Sequence, residues 1–152
     1  MMNIQLETIP ATRIAYVRRT GPYGPENALA MDLLKQWARE QGLLQGTAVI
    51  WGIPQDNPAN TLPEHCRYDA CISLPEHPPV ETSVPYGVLP SGTYAVVTIA
   101  HTAEAVQQAW TEILPALSRS GRTLDQQRPV MERYKEDMVN RHLCELCFPV
   151  LE

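Results

Sequence analysis

Residues 9–17, Ile-Pro-Ala-Thr-Arg-Ile-Ala-Tyr-Val, are echoed by residues 89–97, Leu-Pro-Ser-Gly-Thr-Tyr-Ala-Val-Val, when Pro90 is laid over Pro10, an offset of 80. The two stretches share the proline, an alanine and β-branched endings. Further on, Tyr68-Asp69-Ala70-Cys71-Ile72 lies over Cys144-Glu145-Leu146-Cys147-Phe148 at an offset of 76, which places an acid and then a cysteine two residues later in both halves. Trp37 and Trp110 occupy comparable places on the helical segments between these stretches. Repetition in this order predicts a duplicated module, and such modules bury their apolar faces against each other.

The first half opens with a strand-like stretch over 5–18, interrupted at Pro10 and rich in β-branched and aromatic residues after it. Gly21-Pro22-Tyr23-Gly24-Pro25 breaks that stretch. Pro25 suits a first helical position, and Ala28, Met31, Leu34, Trp37 and Ala38 recur at helical spacing until Gly42. Strands follow over 47–53 and 66–74, each ended by a proline. The second half repeats the order with an extended piece over 84–89, a strand over 93–100, a helix over 103–119, and strands near 129–134 and 143–150. Each half therefore reads strand, helix, strand, strand. A single domain is expected, with module one over about 1–75, a stiff Pro-rich linker over about 76–83 and module two over about 84–152.

With 44% hydrophobic residues in 152, the chain has a core to bury, and chains near this length remove about 68–70% of their unfolded surface on folding. The 12 Lys+Arg against 17 Asp+Glu give a net charge of -5, which argues against nucleic acid, since phosphate binding needs clustered cations. A cationic or neutral partner is electrostatically easier. No run approaches the ~18 apolar residues of a membrane span, and the opening Met1-Met2-Asn3-Ile4-Gln5-Leu6-Glu7 lacks signal-peptide order, so a cytoplasmic protein away from membranes is expected. Cys66, Cys71, Cys144 and Cys147 are expected to be reduced thiols. Cys144 and Cys147 spell C-x-x-C, but on a strand positions i and i+3 point to opposite faces, which argues against shared chelation. His65, His77, His101 and His142 have no metal-binding spacing, and there is no G-x-S-x-G, P-loop or G-x-G-x-x-G. No metal or cofactor is expected.

The strand into turn Val17-Arg18-Arg19-Thr20-Gly21-Pro22-Tyr23, the helices carrying Trp37 and Trp110, Pro129-Val130-Met131-Glu132-Arg133-Tyr134 and the closing Cys144-Glu145-Leu146-Cys147-Phe148-Pro149-Val150 together resemble the GyrI-like small-molecule-binding family over nearly the whole chain. That family includes stand-alone DNA gyrase inhibitory proteins and effector-binding domains of AraC-type and multidrug-sensing transcription factors. The resemblance implies an α+β fold in which two strand-helix-strand-strand modules are related by a pseudo-twofold axis. An antiparallel sheet with two main helices joins them, with a ligand groove between. It also implies binding of bulky, lipophilic and often cationic compounds. With the first strand starting within a few residues of Met1, the stand-alone form is implied. Two alternatives come with that form: a DNA gyrase inhibitory protein acting through protein contact, and a hydrolase of electrophilic, cyclopropane-type toxins. Binding without turnover is the first expectation, and no oligomeric state is implied.

Glu145 interrupts an apolar strand, and alternation puts Leu143, Glu145 and Cys147 on one face. A carboxylate there must meet a cation, hydrogen bonds, solvent or a raised pKa. It is either the counter-charge for a cationic ligand, the role the resemblance implies for an acid on the last strand, or a sheet-face glutamate paired with Arg133 or Arg141. In a hydrolase it would be the carboxylate that takes a proton from water. Glu132 and Tyr134 share one face of the preceding strand, and they line the same groove as Glu145 if the two strands are neighbours; otherwise they face solvent. Trp51, with Gly52 beside it, is a stacking surface or a core residue, and Tyr94 and Trp110 are divided in the same way. At an offset of 81, Glu132 lies over Trp51 and Tyr134 over Ile53, which predicts a pocket with one aromatic and one acidic wall.

Overall fold

Proline donates no ladder hydrogen bond and fixes its own φ, so the first extended run breaks at Pro10 into β1 (Gln5–Ile9) and β2 (Thr12–Thr20). The computed structural model describes residues 3–80 and 83–152; Met1 and Met2, and Glu81 and Thr82 of the expected linker, lie outside them. Helix α1 (Asn27–Glu40), β3 (Val49–Pro54), a single 3₁₀ turn (Pro63–His65) and β4 (Arg67–Ser73) complete the first half. The second half runs β5 (Tyr86–Leu89), β6 (Gly92–Ala100), α2 (Ala103–Arg119), β7 (Met131–Lys135), a one-turn α3 (Glu136–Val139) and β8 (Leu143–Pro149). Helix α2 begins where Thr102 Oγ1 accepts the Ala105 N–H at 3.1 Å. Helix α1 starts two residues beyond Pro25 and has no side-chain cap.

The eight strands form one antiparallel sheet in the order β1-β6-β8-β7-β3-β4-β2-β5, which reads the same from either end when the halves are exchanged. Each half lends its short first strand to the other half's edge, β1 to β6 and β5 to β2. The offset of 80 relates β2 to β6 and that of 76 relates β4 to β8, bound for bound. The turn bonds repeat as well: Gly21 N–H to Cys66 O and His101 N–H to His142 O, both 2.8 Å.

Two expected correspondences need correction. Ile53 faces Asp69 and Arg133 faces Glu145, so β3 and β7 stand 80 apart. The counterpart of Glu132 is therefore Gly52, not Trp51, and that of Tyr134 is Pro54. In the helices, buried Ala30, Leu34, Trp37 and Ala38 match buried Ala109, Ile113, Ala116 and Leu117 at an offset of 79. Trp37 thus corresponds to Ala116, and Trp110 to Met31, because one tryptophan faces the core and the other lies on the helix flank.

Residues directly opposite on neighbouring strands share a face. One row runs Val17, Ala70, Gly52, Glu132, Leu146, Val97 across the sheet; the next runs Tyr16, Cys71, Trp51, Arg133, Glu145, Thr98 on the opposite face. Both main helices cover the first face. There α1 packs Leu34 and Trp37 with Ala70 and Ile72, and α2 packs Ile113 and Leu117 with Val97, Leu146 and Phe148. The second face holds its own core of Ile9, Trp51, Tyr94, Met131 and Cys147. Glu7 on β1 and Arg133 on β7 meet at 2.8 Å across that face, although three strand spacings, about 14 Å, separate them along the sheet. The sheet is therefore curled, with this second core inside the curl.

Candidate functional site

On the helix face, the central strands β3 and β7 form the floor of a groove between α1 and α2. The α1 side is a cavity of about 540 Å³ lined by Met31, Leu44, Ile50, Tyr68, His101 and Tyr134 among others. The α2 side is a more open hollow of about 590 Å³ against Val106, Gln107, Trp110, His101 and Glu132. His101 lines both. Trp110 is 46% exposed, and one edge of it rests on Phe148 with ring centroids 5.3 Å apart. The pseudo-axis crosses this floor, and the residues on its two sides differ.

Glu132 is half-buried in that floor, and the Tyr134 hydroxyl donates to its Oε2. No ion pair among the described residues includes Glu132. Tyr68 projects from β4 over Gly52, directly opposite Glu132 in the sheet. A Cβ at Gly52 would stand 2.5 Å from the Tyr68 hydroxyl oxygen, so the glycine makes room for this phenol. Burial, and then the Glu132 charge, push the Tyr68 ionisation up; Tyr134 is pushed up by burial first and by Glu132 second. Both phenols therefore keep their protons and stay donors. The floor thus holds one carboxylate without an ion-pair partner among the described residues, flanked by two tyrosines, with Val106 and Trp110 on the α2 side and a cavity of mixed apolar and polar lining on the α1 side.

Glu145 does not share this floor. It lies inside the curl, 6% exposed, where it accepts from Arg133 Nε at 2.8 Å and stands 3.6 Å from Lys135 Nζ. Arg133 also gives Nη1 and Nη2 to Glu7 at 2.8 and 2.9 Å. Burial works to lower the Arg133 pKa, but the hydrogen bonds to Glu7 and Glu145 outweigh it and the net shift is upward. Trp51 is buried beneath this guanidinium, 5.5 Å from the ring, and Tyr94 is buried beneath Arg128 at 5.0 Å. Of the six candidate residues, the groove thus gathers Glu132, Tyr134 and Trp110; Glu145, Trp51 and Tyr94 sit on the other face. The reason is register, since Arg133 rather than Glu132 stands opposite Glu145. Tyr68, which like Tyr94 could be read from the sequence as either a pocket or a core residue, lines the groove, and His101 is a groove residue that pattern reading passed over. A signal existed for His101, a histidine between a strand end and the Thr102 cap, on the face that carries both helices.

The four cysteines are buried and unpaired with one another, and burial raises the thiols of Cys144 and Cys147 to about 11 and about 12. No group of three or more His, Cys, Asp or Glu among the described residues could hold a metal ion. No helix among them is long and apolar enough to cross a membrane.

Known proteins agree with this architecture. The chain is 40% identical over 150 residues to the SPbeta prophage-derived protein YosT of Bacillus subtilis, covering 98% of this chain and 99% of that one. It is 28% identical over 126 residues to a DNA gyrase inhibitor of Pectobacterium carotovorum, covering 79% of each. Among solved structures, the EcmrR C-terminal domain superposes with a TM-score of 0.76 at 15% identity, over 100% of this chain and 99% of that domain. SAV2435 bound to tetraphenylphosphonium superposes with a TM-score of 0.61 at 16% identity, over 99% and 94%. The family model of the GyrI-like small molecule binding domain matches residues 2–151, and the chain belongs to that family.

Proposed function

We propose that this protein binds lipophilic, cationic small molecules in the groove between α1 and α2, with Glu132 as the counter-charge. One observation carries the reading: a half-buried carboxylate in the wall of the open chamber beside Trp110, held by the hydroxyl of a tyrosine that lines the adjoining cavity, and without an ion-pair partner among the described residues. Such a group is better solvated by a bound cation than by the cavity walls, and tyrosine and tryptophan faces add cation–π attraction of about 0.5–2 kcal/mol each. A cation about 4 Å from the carboxylate gains roughly 4 kcal/mol at an effective dielectric of about 20, before its own desolvation. The net effect is a preference of about tenfold to a hundredfold for the charged ligand over a neutral one of the same shape. Tryptophan-fluorescence titration with tetraphenylphosphonium and with neutral triphenylphosphine oxide tests this. Glu132→Gln is expected to erase the preference and leave the neutral compound's affinity in place. Equal losses for both probes, or none, refute the electrostatic role.

A protein-contact reading, with DNA gyrase as partner, has separate support. A relative is named a DNA gyrase inhibitor, and Leu29 and Leu33 on the outer flank of α1 are 60% and 58% exposed. A supercoiling assay with the purified protein decides it: inhibition that Leu29→Ser/Leu33→Ser abolishes supports contact through α1, and unaffected supercoiling removes that reading.

A further inference from the structure

His101 stands where the two chambers of the groove meet. It follows the last residue of β6 and precedes the Thr102 cap of α2, with its backbone N–H fixed on His142 O at 2.8 Å, while its side chain is exposed and borders both chambers of the groove. Its ring lies 5.1 Å from the Tyr134 ring, tilted 51° to it, and Tyr134 in turn holds Glu132. The imidazole thus stands against the Tyr134 ring, beside Glu132. His65, His77 and His142 line neither chamber.

We propose that His101 sets the charge preference of the groove: as neutral imidazole it leaves the Tyr134 face and Glu132 to a cationic ligand, and as imidazolium it supplies that positive charge itself and turns the groove toward neutral ligands. The proposal rests on the binding reading above. Other titratable groups lining the chambers that His101 borders are Glu132 and Tyr134 on β7, Tyr68 on β4, Glu136 on α3, and Asp32 and Lys35 across the cavity on α1; Thr102 and Gln107 carry no charge. Histidine is the side chain whose ordinary ionisation falls between about pH 5 and 8, which sets the pH range over which the proposal is tested. An imidazolium on a tyrosine face at a partly exposed site is worth about a twofold to fivefold effect, and its repulsion of a bound cation adds to this.

The test is the affinity of tetraphenylphosphonium, whose charge does not titrate, at about pH 7.5 and about pH 5.5, beside triphenylphosphine oxide. Wild type, His101→Gln and His101→Lys are compared. From the higher to the lower pH, wild type is expected to lose about fivefold more affinity for the cation than His101→Gln does. His101→Lys binds the cation weakly at both pH values, and the neutral probe varies little in any of the three. The comparison with His101→Gln removes the pH response of every group the two proteins share. An equal pH response in wild type and His101→Gln, or none in wild type, overturns the role of His101 while leaving cation binding intact. No binding of tetraphenylphosphonium at about pH 7.5 overturns the binding reading and this inference together. Thermal unfolding confirms that the variants are folded, which the exposed side chain and the retained backbone bond lead one to expect.

Discussion

Glu145→Gln separates the two carboxylates of the last strand pair, because the fold gives them different work. Inside the curl, Arg133 and Lys135 balance Glu7 and Glu145, and the Arg133 side chain is 4% exposed. Glutamine can still accept from Arg133 Nε, so the variant loses the charged part of one hydrogen bond. Bonds to charged groups contribute about 1.5–3 kcal/mol and neutral ones about 1, leaving a loss of about 1–2 kcal/mol. For a chain of this length each kcal/mol moves Tm by about 2–4 °C, so a fall of about 2–8 °C follows. Arg133→Met strands both carboxylates. Breaking a buried pair costs about 3–5 kcal/mol, and because Glu7 is 41% exposed and can turn to water, the lower end, about 3 kcal/mol, applies. The pH dependence has a definite sign. The Arg133 hydrogen bond holds the Glu7 carboxyl below its ordinary value of 4.5, so its contribution is complete above that value and is lost as pH falls through the lower folded value. The Tm gap between wild type and Arg133→Met is therefore full at neutral pH and narrows below about pH 4. Circular-dichroism melting across this range, paired with the tetraphenylphosphonium titration, measures both properties. An unchanged Tm together with weakened cation binding in Glu145→Gln refutes this assignment and returns the ligand's counter-charge to the last strand.

Gly52→Ala should destabilise by about 1–3 kcal/mol, since its Cβ meets the Tyr68 hydroxyl oxygen at 2.5 Å and Cζ at 3.3 Å and the buried ring has to move. In urea unfolding, adding Tyr68→Phe should recover part of the loss; a neutral Gly52→Ala contradicts the close approach. The thiolate is the reactive form of cysteine, and Cys144 and Cys147 titrate at about 11 and about 12, so neither should react with Ellman's reagent at about pH 8 until denaturant is added. Rapid labelling of either residue in the native protein contradicts their burial.

Strand bounds and strand partnership differ in how openly a sequence carries them. Pro10 and Pro90 punctuate equivalent strands, and Asp69 and Glu145 mark equivalent positions on β4 and β8, so the repeat aligns four strands from residue types alone. The bounds of α2 are legible because Thr102 caps one end and apolar spacing runs to the other. Alternation also puts Glu132 with Tyr134 and Glu145 with Cys147. What alternation leaves open is how β7 slides against β8, since a shift of one residue exchanges the faces. The charges contain a usable signal: the observed register sets Arg133 opposite Glu145, whereas the shifted one sets Glu132 there, and like charges directly opposite are destabilising. The two tryptophans misled for a related reason. Both occur at helical spacing, but a tryptophan on the flank of a helical stripe and one at its centre differ by a single position in seven, and Trp110 falls on the flank.

A duplicated fold offers two equivalent places for every side chain; Asp69 and Glu145 keep an ion-paired acid in both, but the distinctive groove residues occur in only one of each pair. The counterpart of Glu132 is Gly52, that of Tyr134 is Pro54, that of Tyr68 is Cys144, that of His101 is Gly21 and that of Trp110 is Met31. Because Glu132 and Gly52 are also direct partners across β3 and β7, a symmetric pair of acids would stand side by side at the centre of the floor. Two like charges at that separation, half-buried, would repel each other and raise one pKa, leaving a site that takes up a proton as readily as a cation. Glycine at one position avoids this and opens the space that Tyr68 enters to face the remaining acid. The broken symmetry at the axis therefore gives the two-module frame one carboxylate at the centre of its floor rather than two.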